Sequence, residues 1–140
     1  MKKVIAASLF FLSAAAMSAE VSVSAVRDFN LDKNGHRVSA TVGGVGLSAT
    51  HINGSYNRYA VGKDFSVLKV AGVGISASGN LAYVDPDRGA DGYGVVVGAK
   101  ASTPLAKNVE LVTGVERFVG QKRVERFDGT VATVGVNIKF

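Results

Sequence analysis

Apolar residues recur at every second position over most of the chain beyond residue 19, and this period restricts the possible folds more than any other feature. The clearest case is the final segment, where one set of alternate positions is Thr130, Ala132, Val134, Val136, Ile138 and Phe140. The opposite set is Val131, Thr133, Gly135, Asn137 and Lys139. Residues 71–83 and 92–102 repeat the alternation. A period of two is typical of β-strands, so the sequence predicts an all-β fold.

Turn-forming clusters divide this pattern into strands. Asp-Lys-Asn-Gly at 32–35, Asn-Gly at 53–54, Asp-Pro-Asp at 85–87 and Asp-Gly at 128–129 are such clusters. We predict eight strands, at about 20–28, 36–43, 45–52, 56–63, 69–84, 92–102, 109–119 and 129–140. The count depends on a turn at Gly43-Gly44, because a single strand over 36–52 would make the number odd.

The composition of the two strand faces favours a closed membrane barrel over a soluble sandwich. One face is apolar, and the other is mostly glycine, serine and charge, which is too small and polar for an ordinary core. A closed barrel leaves no backbone group unpaired in lipid, and tilted strands of about 9–11 residues are long enough to span a bilayer. Beyond residue 19 there are nine aromatic residues, all at or near predicted strand ends, as in the interfacial girdles of membrane barrels. We therefore predict an eight-stranded antiparallel up-and-down transmembrane β-barrel formed by residues 20–140.

The first 19 residues have the pattern of a secretory signal peptide. Met1-Lys2-Lys3 is a short basic start, Val4 to Ala16 is an uncharged apolar run, and small residues lead to Ala19. A membrane-spanning helix needs about 20 apolar residues, which is more than this run provides. We expect residues 1–19 to be removed, with cleavage after Ser18 as the alternative.

Together these features resemble the small outer-membrane β-barrel proteins of Gram-negative bacteria, such as the OmpA transmembrane domain and opacity-type surface proteins. The last strand ends with Val136, Ile138 and Phe140 at alternate positions, which is similar to the C-terminal assembly signal of that family. The resemblance implies a monomer in the cell outer membrane, with lipid, lipopolysaccharide and the barrel assembly machinery as partners. It also implies that both termini lie in the periplasm and that the loops near 29–35, 53–56, 85–91 and 121–128 face outside.

Alternation also places charged residues inside the predicted barrel, at Glu20, Arg37, Arg58, Lys100, Glu110, Glu116 and Lys139. An isolated ion away from water is costly, so these groups must pair. We predict an ion-pair network that links Glu110 and Glu116 with Arg37, Arg58 or Lys100. Such a network would plug the lumen, and a narrow ion path is the alternative.

The most charged loop, 121–128, carries Lys122, Arg123 and Arg126, which we predict to contact lipopolysaccharide phosphates. No catalytic, cofactor or metal site is expected. The chain has no cysteine, its only imidazole bases are His36 and His51, and the His51 to Ser55 stretch, where a histidine lies near a serine, has no acidic residue close by in sequence. The net charge of +5 is too weak to indicate nucleic-acid binding.

The predicted function is therefore a structural or surface-interaction role in the outer membrane. The alternatives are a narrow porin and a soluble periplasmic barrel that binds a small apolar ligand. The second alternative requires an apolar interior, whereas the face assigned to the interior is glycine, serine and charge.

Overall fold

The computed structural model describes residues 20–140, so the predicted signal peptide lies outside the described residues. The described part forms a closed antiparallel barrel in which each strand pairs with the next and β8 pairs with β1. The strands are β1 Glu20–Asp28, β2 Lys33–Val42, β3 Val45–Ile52, β4 Tyr56–Val70, β5 Val73–Pro86, β6 Gly92–Ala106, β7 Val109–Gly120 and β8 Gly129–Lys139. The predicted all-β, eight-stranded up-and-down barrel is confirmed. No helix within these residues is long and apolar enough to cross a membrane.

The two ends of the barrel differ in their connections. Three two-residue turns, at 43–44, 71–72 and 107–108, lie at the end where Glu20 and Phe140 also lie, which we call the terminal end. The longer connections 29–32, 53–55, 87–91 and 121–128 lie at the opposite end, which we call the loop end. The predicted turn at Gly43-Gly44 is present, and both glycines have positive φ (58° and 81°), as tight hairpin turns require.

Two predicted breaks in the strands are wrong. Residues 63–69 are not a connection, because β4 continues to Val70 and the chain turns at 71–72. The alternation is hidden there by a β-bulge between Ser66 and Leu68, which shifts the faces by one residue. Likewise β6 continues through Pro104, which sits at a second bulge where its missing N–H is tolerated.

The apolar alternate positions face outward and the small or polar ones face inward, as predicted. On β8 the side chain of Val134 is 54% exposed, whereas that of Val131 on the opposite face is 2% exposed. The outward set on other strands is similarly exposed and includes Val23, Leu81, Val97, Val115 and Val119. The barrel therefore presents an apolar belt to its surroundings.

The aromatic residues follow the girdle prediction only in part. Tyr59, Tyr83 and Tyr93 are direct partners across β4, β5 and β6, and they form an outward-facing row towards the loop end. Phe29 is also exposed at the loop end, and Phe65 and Phe140 are exposed towards the terminal end. The girdle interpretation is wrong for Tyr56, Phe118 and Phe127, which are buried inside the mouth of the barrel.

Candidate functional site

The interior of the barrel is the candidate functional site, and its composition changes from the loop end to the terminal end. An apolar cluster fills the loop end, a charged cluster follows, and a smaller polar group lies where the termini meet. We describe these layers in that order.

A short 3₁₀ helix, Lys122–Phe127, closes the loop end. It turns Val124 and Phe127 into the mouth, where the ring of Phe127 packs against Tyr56 at a centroid distance of 4.9 Å. Gly94 makes room for the ring of Phe118 in the same cluster, since a Cβ atom there would lie 2.4 Å from that ring. Loop, helix and strand side chains thus fill the outer part of the lumen.

Buried polar groups fix this apolar cluster in place. The hydroxyl of Tyr56 donates to Asp28 Oδ2 at 2.7 Å, and the backbone N–H of Leu31 donates to Asp28 Oδ1 at 3.0 Å. The carboxylate of Asp128 accepts a 2.7 Å hydrogen bond from the backbone N–H of Gly120. The buried carboxylate of Asp28 is therefore satisfied by two donors, and it ties β1, β4 and the 29–32 loop together.

Below the apolar cluster, the carboxylate of Glu116 pairs with the guanidinium groups of both Arg37 and Arg58. A second Arg37–Glu116 contact measures 3.1 Å, and Arg37 Nε donates to Thr50 Oγ1 at 2.7 Å. The guanidinium of Arg58 also lies 5.6 Å from the ring centroid of Phe118. The three charged groups are largely buried, and each is held by at least two partners.

The next ion pair towards the terminal end joins Lys100 to Asp64. Sequence analysis did not name Asp64, because the predicted fourth strand ended at residue 63, just before it. Lys100, Asp64 and the Glu116 cluster line a polar cavity of about 80 Å³. This volume is enough for a few water molecules and too small for an organic ligand.

The prediction that grouped Glu110 with Glu116 is corrected by the structure. Glu110 lies near the terminal end, where its carboxylate is 3.3 Å from Lys139 Nζ and accepts a hydrogen bond from Asn137. Asn137 and Lys139 also contact Glu20, so these four residues form a separate polar group. The predicted network is therefore two clusters, because Glu110 is six residues below Glu116 on the same strand.

The basic residues of the 121–128 loop have different environments. Lys122 and Arg123 are exposed at the loop end. Arg126 donates instead to the carbonyls of Arg123, Arg88 and Ala90, at 2.6, 3.3 and 3.3 Å, and its guanidinium lies 4.5 Å from the ring centroid of Phe127. Arg126 therefore holds the 3₁₀ helix to the 87–91 loop.

The remaining predicted residues lie on the outer surface. Val136, Ile138 and Phe140 are exposed on the outward face at the terminal end. Among residues 20–140 no group of three or more histidine, cysteine or acidic side chains could hold a metal ion. His36 and His51 lie side by side on the outward face of β2 and β3.

Comparison with known proteins shows likeness in fold and none in sequence. No protein-family model matches the chain, and no curated protein matches it in sequence. The outer-membrane protein OprG from Pseudomonas aeruginosa matches with a TM-score of 0.60 at 6% identity, over 88% of this chain and 96% of that one. The Yersinia pestis outer-membrane protein Ail matches with a TM-score of 0.56 at 10% identity, over 88% and 99%.

De novo designed transmembrane β-barrels have the same architecture. One of them matches with a TM-score of 0.62 at 15% identity, over 89% of this chain and 96% of that one. The chain thus shares its fold with small outer-membrane barrels and with barrels that were designed to cross membranes.

Proposed function

We propose that this protein is an integral outer-membrane β-barrel with a closed lumen and a structural or surface-interaction role. The observation that carries the proposal is the apolar belt around a closed barrel. Exposed apolar patches on soluble monomers rarely exceed a few hundred Å², and larger ones mark contact with a membrane or a partner. A belt that surrounds the barrel fits the acyl region of a bilayer.

The interior supports the closed lumen. The mouth is filled by Tyr56, Phe118 and the 3₁₀ helix, and Glu116 with its two arginines fills the lumen beneath them. An eight-stranded barrel is only wide enough for side chains to fill, and we infer that these two layers close the path for ions. A porin role and the binding of an apolar ligand inside the barrel are both less compatible with this packing.

The surface role rests on the loop end. Lys122 and Arg123 are exposed there, and with Arg126 they give this loop a basic surface suited to lipopolysaccharide phosphates. Export by a cleaved signal peptide and recognition of Val136, Ile138 and Phe140 by the barrel assembly machinery belong to the same proposal. We propose no catalytic role, and the pairing of the buried charges with one another supports this proposal.

Cell fractionation combined with heat-modifiable migration on a gel tests the location. We expect the mature chain in the outer-membrane fraction, migrating as a compact species until it is boiled in detergent. Recovery of the chain from the soluble periplasmic fraction, with the same migration before and after boiling, would contradict the proposal.

Planar-bilayer recording tests the closed lumen separately. We expect no steady conductance from the purified barrel at moderate voltage, because the apolar mouth and the Glu116 cluster both block the path. A steady pore of any size would favour the porin alternative and would leave the membrane location unaffected.

A further inference from the structure

We propose that His36 and His51 form a two-histidine site for a divalent transition-metal ion, such as Zn²⁺ or Cu²⁺, on the outer surface of the barrel. The two residues are direct partners across β2 and β3 and both face outward. Their rings are 5.3 Å apart between centroids and are tilted by 45°. Neither residue takes part in the packing or ion pairs of the interior.

The spacing of the rings fits shared coordination. Two imidazole nitrogens, each about 2.0–2.1 Å from one zinc ion at a tetrahedral angle, hold their ring centroids about 5 Å apart. The measured separation of 5.3 Å is close to this value. Stacked rings would lie parallel, whereas the observed tilt allows one nitrogen of each ring to converge on a common point.

Asn57 orients one of the two ligands. The Nδ1 atom of His51 is 2.7 Å from Oδ1 of Asn57, its partner across β3 and β4. An amide oxygen only accepts hydrogen bonds, so Nδ1 carries the proton and Nε2 keeps its lone pair for a metal. Hydrogen bonding of the second ring nitrogen is the usual support for a metal-bound histidine.

The surroundings are compatible with a cation. The pair lies one outward position beyond the Tyr59 row, at the polar boundary of the apolar belt, and His36 is exposed. On the far side of β2, the guanidinium of Arg27 is paired with Asp32 and Asn34. Imidazole ligands suit Zn²⁺, Ni²⁺ and Cu²⁺, and Cu²⁺ should bind most tightly. Two protein nitrogens leave the other positions to water, so the ion should exchange readily.

Cu²⁺ titration and electron paramagnetic resonance test the site on the full barrel, purified in detergent without a histidine tag. We expect one Cu²⁺ per chain with a spectrum that reports two imidazole nitrogens. His36→Gln and His51→Gln should each weaken binding at least ten-fold and leave one nitrogen. Asn57→Ala should weaken Cu²⁺ and Zn²⁺ binding by about 10–100-fold, because it removes only the orienting hydrogen bond.

Asn53→Ala is the matched control, since it removes an exposed polar side chain two residues from His51 and should leave metal affinity unchanged. Heat-modifiable migration of every variant checks that the barrel has folded. Wild-type affinity in both histidine variants, or a wild-type spectrum with a single nitrogen, would overturn the proposal.

Discussion

At the residue scale, Glu116 is the group on which the interior depends most. Its one carboxylate is shared by Arg37 and Arg58, and all three side chains are largely removed from water. Burying an ion is energetically unfavourable unless the ion is paired and hydrogen-bonded. Here the two guanidinium groups are compensated only while the carboxylate of Glu116 is charged. Loss of this one group would leave two cations facing each other inside the barrel.

Replacement of Glu116 by Gln should therefore lower the free energy of unfolding by about 3–5 kcal/mol, as expected when one partner of a buried ion pair is removed. Urea or guanidinium unfolding of the barrel in lipid vesicles measures the change. The matched control is Asp32→Asn, which breaks the exposed pair with Arg27 and should change stability by only about 0–1 kcal/mol. Equal effects of the two substitutions would contradict the role assigned to the buried cluster.

The inward direction of Arg37, Arg58 and Glu116 could be predicted from alternation alone, because the side-chain period of a strand is two. Their pairing could not, since Arg37 and Glu116 are 79 positions apart in the chain and meet only across the closed barrel. The histidine pair is different. His36 and His51 are equally distant from the Gly43-Gly44 turn, so the predicted hairpin already places them opposite each other.

At the element scale, the 3₁₀ helix Lys122–Phe127 is the feature that sequence analysis missed. The 121–128 segment was predicted as a charged loop facing outward, and its basic residues support that prediction. Val124 and Phe127, however, are three residues apart, which is one turn of a 3₁₀ helix and puts both on one side. This spacing was the available signal that one face of the loop is apolar and turns inward.

Phe127→Ala should loosen this helix. Truncation of a buried phenylalanine costs about 3–5 kcal/mol, which raises the population of the undocked loop well over ten-fold if the barrel itself stays folded. Trypsin cleavage after Lys122 or Arg123, measured on intact barrels in vesicles, should then accelerate at least ten-fold. Phe29→Ala removes an exposed ring at the same end and should not change the rate. Unchanged cleavage of the Phe127 variant would mean that the ring does not hold the helix in the mouth.

At the scale of the whole molecule, the apolar belt favours a bilayer over water as the environment of the barrel. Among residues 20–140 every strand except β2 carries an exposed large apolar side chain, and the closed sheet leaves no unpaired strand edge. In water the apolar belt would favour association. In a bilayer the belt contacts acyl chains, and closure of the sheet leaves no strand edge to expose backbone groups to lipid. We therefore expect the destabilisation caused by an outward-facing charge to depend on the depth of that charge in the bilayer.

Val134→Arg places a charge on the outward face at the middle of β8 and should destabilise the barrel in vesicles by about 2–4 kcal/mol. Val119→Arg places the same charge near the loop end of β7, and it should cost only about 0–1 kcal/mol, as expected near the bilayer interface. Both valines are 54% exposed, so a difference in burial cannot account for the contrast. Equal costs at the two positions would argue against a bilayer around the belt.

The sequence alone determined the strand class, the direction of most side chains and the short turn at Gly43-Gly44, because these depend on local period and turn chemistry. The tertiary structure decided which charges pair, where Pro104 is tolerated and which aromatic rings fill the mouth. Those outcomes depend on closure, since closing the sheet brings β7 within reach of β2 and β4 across the lumen. An inward-turning loop changes which residues meet there without changing the alternation from which a strand is recognised, whereas a bulge shifts that alternation by one residue and hides the strand.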